Sequence, residues 1–292
     1  MSNAAACCKT AKLALMRYSA KARCFPYGNY KMRIKWFGTA TIIIEQDGTK
    51  LLFDPFLTLN EKVFKPPIDE LSTIENIMVT HGHLDHIVDI PVILKHGDGK
   101  AKIYCTNKPR ETLLAKGVDS ERIHTVKPGD VLDFPPFKVC VLKGKHIIFD
   151  KWRIIKTLLN PRIIIHFKNV RHMLRENRAC AESGETVIYD ISVYDERILL
   201  MGSLNLDDET EYPKGADLLV LPFQGRSDIN KYSMQFISRL QPKKVLLDHF
   251  DDTFPPISSH VETGRFISDV HRSFPDIPVI CPQASAEWIN II

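Results

Sequence analysis

Short apolar runs, either alternating or continuous, divide the chain from Met32 onward into strand-length pieces. Residues 34–37, 41–45 and 50–53 read as three strands, separated by Gly38 and by the turn-forming pair Asp47-Gly48. Residues 77–80 form a continuous apolar run, expected to be a buried strand. A helix is expected over 86–96, ended by Gly97-Asp98-Gly99, then a strand over 102–105 and a helix over 108–116 that stops at Gly117. Residues 123–126 and 137–142 are again strand-like. The rhythm breaks at 147–178, where long basic segments with aromatic residues are divided by Pro161. Beyond them, 186–194 and 197–201 read as a hairpin and 218–221 and 245–247 as buried strands. Helices are expected at 229–240 and 260–273. Strand runs later interleaved with helices, with no internal repeat or linker, predict an α+β chain built as two sheets flanked by helices.

At 292 residues and 44% hydrophobic content, the chain can bury a sizeable core. No apolar run reaches the roughly 18 residues that cross a membrane. The seven cysteines (Cys7, Cys8, Cys24, Cys105, Cys140, Cys180 and Cys281) are odd in number and scattered, with no CxxC pair. Neither a disulfide framework nor a structural zinc cluster is expected, and a reducing cytoplasm fits. The net charge of +4 is unevenly spread. Residues 1–31 hold six bases and no acid, and read as a poorly ordered basic extension. Ser2-Asn3-Ala4 within it resembles an expression-tag scar, and Met32 a start. From Met32 on, 33 bases face 35 acids, a balance of −2. Residues 143–178 carry ten Lys/Arg against Asp150 and Glu176, or +8, so the remaining body is acidic and unsuited to general nucleic-acid binding.

The densest chemistry lies in Thr80-His81-Gly82-His83-Leu84-Asp85-His86, directly after the apolar run 74–79. Imidazole and carboxylate suit borderline divalent ions such as zinc, manganese or iron. In an extended segment alternate side chains share a face, so His81 and His83 can grip one ion. Asp85 and His86, where the chain turns into a helix, are free to reach a neighbouring ion.

These residues match the HxHxDH signature of the metallo-β-lactamase superfamily. Residues 32–45 and Lys50-Leu-Leu-Phe-Asp54-Pro55-Phe56 resemble the opening of its lactonase-like branch, which includes ascorbate-6-phosphate lactonases and phosphodiesterase-type relatives. Pro242-Lys-Lys-Val-Leu-Leu-Asp248-His249-Phe250 resembles the strand carrying that family's last histidine. The resemblance implies an αββα sandwich over residues 32–292, with one or two divalent ions at a sheet edge and the basic stretch 147–178 as an insertion. It implies His81, His83 and a third histidine as one ligand set, and Asp85, His86 and His249 as the other. His146, which follows the expected strand 137–142, is preferred as the third histidine over His124 and His166. Asp54 would orient a ligand histidine or merely form an Asp-Pro turn. Asp190 reads as a strand-surface acid.

One position departs from the family pattern. A bridging aspartate usually follows a glycine after a strand like 197–201, and here Gly202-Ser203 places a serine there. Asp207, Asp208 or Asp248 could substitute for it. Otherwise the second site would bind its ion weakly or stay empty.

The chemistry implied is hydrolysis by a metal-bound hydroxide, with Asp85 orienting the nucleophile or taking its proton. A small anionic substrate is expected, as a phosphorylated lactone, an ester or a phosphodiester. Lys151, Arg153, Lys156, Arg162, Lys168, Arg171, Arg175 and Arg178 could form a lid that clamps it. Trp152, Ile154, Ile155, Leu158 and Leu159 could instead touch membrane lipid or a partner, or the segment could be an ordinary solvated helix face. Ser203 keeps open a degraded, metal-binding scaffold. A nuclease of the same superfamily is the third reading, disfavoured by the acidic body and by a length that leaves little room for an added domain.

Overall fold

The computed structural model describes residues 32–176, 180 and 183–291, so residues 1–31 and Arg178 lie outside it. Two mixed sheets of seven strands each face one another. The first is built from β1 (Arg33–Trp36), β2 (Ile42–Gln46), β3 (Thr49–Phe53), β4 (Asn76–Met78), β5 (Lys102–Cys105), β6 (Ile123–Thr125) and β14 (Ile289–Asn290). Its order is β14-β1-β2-β3-β4-β5-β6, antiparallel up to β3 and parallel beyond it.

The second sheet contains β7 (Val131–Phe134), β8 (Phe137–Lys143), β9 (Val187–Val193), β10 (Glu196–Met201), β11 (Leu218–Pro222), β12 (Val245–Asp248) and β13 (Val279–Ile280). Read from β7, it too is antiparallel through β10 and then parallel to β13.

Continuous apolar strands follow from burial on both faces. In β2, Ile42 and Ile44 point into the core between the sheets, while Ile43 points to the helical layer outside. Leu51 and Phe53 against Leu52 in β3 repeat the division. That outer layer comprises α1 (Ile68–Leu71), α2 (Leu84–Ile87), α3 (Ile90–His96) and α4 (Asn107–Ala115). The other sheet is covered by α8 (Ile229–Leu240) and α9 (Gly264–Ser273). Ile229, Ser233, Phe236, Ile237 and Leu240 make the buried stripe of α8, at helical spacing.

The expected helix over 86–96 is two helices, α2 and α3, meeting at Val88-Asp89. Pro91 sits in the first turn of α3, where its missing N–H costs nothing but where it cannot continue a preceding helix. α9 starts at Gly264 rather than 260, because Val261 N donates instead to Phe250 O at 2.8 Å. The basic segment forms α5 (Lys151–Leu158), α6 (Arg162–Ile165) and α7 (Phe167–Glu176). Arg162 of α6 pairs with Asp252, and Asn169 Nδ2 of α7 donates to Pro255 O at 2.9 Å. These contacts hold the segment against the loop after β12.

Candidate metal centre

The strand ends β3, β4, β8, β10 and β12 deliver their following residues to one edge of the sandwich. β4 leads into His81 and His83, and His83 caps α2 with extended backbone. Asp85 and His86 occupy the first turn of α2. His146 comes three residues after β8, and His249 directly after β12.

The structure brings six of the expected residues into two groups, His81/His83/His146 and Asp85/His86/His249. Within each, the potential ligand atoms lie within 4.8 Å of one another. The groups adjoin, with ring centroids of His81 and His86 3.9 Å apart. His124 and His166 belong to neither; His124 stacks on Tyr104 at 5.0 Å.

Second contacts fix the imidazoles. His81 Nδ1 lies 3.0 Å from Thr80 Oγ1, which donates to Asp54 Oδ2 at 2.6 Å and therefore accepts from His81. Asp54 Oδ2 also lies 2.9 Å from His86 Nδ1. His146 Nδ1 is 2.8 Å from Ile147 O. With Nδ1 carrying the proton in all three, each ring turns Nε2 outward as a donor to metal. Asp54 is thus an orienting carboxylate and not only a turn former. It holds φ at +43°, as His249 holds +62°, and Thr39, whose carbonyl accepts from His249 N at 2.9 Å, +48°. Left-handed non-glycine backbone is costly, and its clustering here marks a functional edge.

Electrostatics put His81 and Asp85 in the form that binds a metal, whereas His249 must release a proton to do so. Burial first, then neighbouring His86, His83 and His146, lowers His81 well below an ordinary imidazole, keeping it neutral. Burial alone would raise Asp85, but His86, His249 and His83 hold its carboxyl well below the usual range. Burial would lower His249, whereas the hydrogen bond and charge of Asp85, with Asp248 and Asp251, push it up to about 9. Burial pushes Asp248 up to about 8 despite His249, with Asp54 and Asp251 adding repulsion. His81 Nε2 and His249 Nδ1 are buried with no hydrogen-bond partner in the structure. Orphaned imidazole nitrogens beside surplus carboxylates fit divalent cations.

Ser203 is buried, and its Oγ accepts from Ile147 N at 3.0 Å, pinning the His146 loop. The expected substitutes for a bridging carboxylate are placed elsewhere. Asp207 pairs with Lys143 at 3.0 Å, Asp208 with Lys145 at 2.9 Å, and Asp248 joins neither ligand group. Lys143 and Lys145 flank that loop and pair with its acids. Asp190 is no open-surface acid, being largely buried 3.6 Å from Arg197.

Two residues escaped sequence reasoning. Thr80 relays Asp54 to His81, and a threonine at a strand end carries no distinguishing pattern. Gly202 is required because a Cβ there would lie 2.1 Å from Thr80 Cβ. Its place beside Ser203 was visible, but its packing partner was not.

The β-lactamase superfamily domain matches residues 49–250, a span that includes all six grouped residues and Asp54. The chain belongs to the β-lactamase superfamily. A UPF0173 metal-dependent hydrolase of Exiguobacterium sp. is 28% identical over 245 residues, covering 82% of this chain and 94% of that protein. One from Azorhizobium caulinodans is 32% identical over 117 residues, 39% of this chain and about half (49%) of that relative. Among solved structures, the metallo hydrolase Igni18 of Ignicoccus hospitalis aligns with a TM-score of 0.57 at 18% identity, covering 89% of this chain and 97% of that one. That likeness establishes the superfamily fold.

Proposed function

We propose that this chain, a metal-dependent hydrolase of the β-lactamase superfamily, takes two divalent ions and hydrolyses a small anionic substrate. Zinc or manganese suits the donors best, with iron as the further alternative. The reading is carried by the two adjoining three-donor groups. Bound ions would lower the pKa of a coordinated water to about 7 and polarise the carbonyl or phosphoryl oxygen under attack.

The protein's own groups supply position. Asp54 keeps a proton on His86 Nδ1, and Thr80 keeps one on His81 Nδ1. The ionised Asp85 carboxylate lies 3.4 Å from His249 Nε2 and is the group that would orient the attacking water, its depressed pKa making it a weak proton acceptor. The bases of α5–α7, which begin at Lys151, five residues after His146, support a phosphorylated lactone, ester or phosphodiester. The scattered cysteines support the cytoplasm as its compartment.

Ser203 favours a second reading, a metal-binding protein without turnover, because its hydroxyl serves Ile147 and brings no charge between the two groups. Elemental analysis after reconstitution with zinc or manganese, alongside turnover of phosphodiester and lactone substrates, separates the two. Two ions per chain, with His83→Ala and His249→Ala each losing one and both losing turnover, is the expected result. Metal without turnover favours the scaffold, and absence of bound metal overturns both.

A further inference from the structure

Twelve large hydrophobic side chains are exposed among the described residues, and nine of them fall within residues 148–174. Trp152, Leu159, Ile164, Ile165, Phe167 and Leu174 are each at least 61% exposed. The three others, Val92, Val131 and Tyr194, are far apart in sequence. So dense an apolar concentration on a folded surface marks an interaction site.

The same segment carries the basic block. Lys151, Lys156, Lys168 and Arg171 are exposed, and Glu176 is the sole acid of α5–α7. In α7 the apolar residues Phe167, Val170 and Leu174 run at helical spacing, and Lys168, Arg171 and Arg175 run beside them one residue on. Lys168, Arg171, His172 and Arg175, with Leu174, line one open recess. A helix with an apolar stripe flanked by bases lies flat in a bilayer interface, its apolar side chains among the acyl chains and its cations at the phosphates.

We propose that α5–α7 dock the protein peripherally on an anionic phospholipid bilayer. Charge and side-chain type choose this occupant. A second copy paired through the same face would oppose two segments that each carry +8 over residues 143–178. A nucleic acid on this face would meet the acidic remainder of the body, which carries −10 once the +8 of residues 143–178 is taken from the −2 of residues 32–292. An anionic bilayer satisfies both halves of the surface at once. The docking face adjoins the metal centre: the Phe149 ring lies 5.7 Å from that of His146, and Arg162 pairs with Asp252, three residues past His249. The inference stands on exposure and charge and does not depend on the substrate assigned above.

The test is sedimentation of the metal-loaded full chain with phosphatidylcholine vesicles, with and without phosphatidylglycerol, together with tryptophan emission. Binding is expected only to the anionic vesicles and should weaken with salt. At about 1 kcal/mol for each base near the surface, Lys168→Gln with Arg171→Gln should weaken it about 30-fold. Leu159→Asp with Ile164→Asp should abolish it. Of the three tryptophans Trp36 is buried, Trp288 is half-buried under Arg33 and Lys35 away from α5–α7, and Trp152 is exposed, so a blue shift on anionic vesicles should appear in the parent and vanish in Trp152→Phe. That optical signal tests docking on the unmodified fold even where a double variant misfolds. No sedimentation with anionic vesicles, equal binding to neutral ones, or binding unchanged by these substitutions overturns the proposal. So does a dimer that Leu159→Asp dissociates in a chain that ignores vesicles.

Discussion

The Asp54 carboxylate lies 2.9 Å from His86 Nδ1, with both side chains buried. The same carboxylate accepts from Thr80 N at 2.8 Å and from Thr80 Oγ1, and through that hydroxyl it reaches His81. One acid therefore sets the ring orientation of a histidine in each metal group. Asp54→Asn isolates the effect, because asparagine tolerates the positive φ while losing the charge. Metal affinity is expected to fall by about 10–100-fold at both groups. Competition against a chelator dye measures it, and unchanged affinity would remove Asp54 from the centre.

Gly202→Ala attacks the same network from the other side. The new Cβ would sit 2.1 Å from Thr80 Cβ and 2.2 Å from Thr80 Oγ1, so Thr80 or the strand end must move. Overpacking of this kind costs about 1–3 kcal/mol, occasionally more. Urea unfolding should show that loss, and metal content should fall with it as Thr80 leaves His81 and Asp54. A variant with parental stability and metal content would show that the contact is easily relieved.

Legibility in the sequence divides along physical lines. Strands buried on both faces announce themselves as apolar runs, so β2, β3, β11 and β12 lie where the pattern places them. The histidine cluster was legible because four metal-type side chains within six residues have few other uses. What was hidden depends on partners distant in the chain. β14 exists through its pairing with β1, and β7, largely exposed along its length, through its pairing with β8. The Thr80–Asp54 bond spans 26 residues and the Ser203–Ile147 bond 56, and no local period encodes either. Asp190 was misread because alternation along β9 places it off the inter-sheet core without revealing that Arg197 and neighbouring strands cover it.

Ser203→Asp tests the departure from the family pattern. The position is buried and already next to the His146 loop, and an aspartate can still accept from Ile147 N. An added carboxylate between two cations should tighten the weaker ion by about tenfold or more, on the order of 1.4 kcal/mol. Ser203→Ala is the opposite control, because leaving the buried Ile147 N–H without an acceptor costs about 1–3 kcal/mol of stability. If Ser203→Asp binds its second ion no better than the parent, Asp85, His86 and His249 already suffice.

Asp190 carries the pH prediction, at a distance from the metal groups. Burial pushes its carboxyl up to about 6, only partly opposed by Arg197. In the unfolded chain it titrates near 3.9, so between about pH 4 and 6 the folded state holds a proton that the unfolded state has released. Stability contributed by this group is therefore highest below about pH 4, falls as pH rises to about 6, and is level above. Two pKa units correspond to up to about 3 kcal/mol. Asp190→Asn keeps the shape and removes the ionisation, so it should gain about 1–3 kcal/mol over the parent at neutral pH and converge with it near pH 4. The metal ligands are common to both proteins, so the difference between paired urea melts cancels their contribution. A difference that stays constant on acidification, or a variant less stable at neutral pH, would mean that Asp190 is ionised in a favourable pair with Arg197.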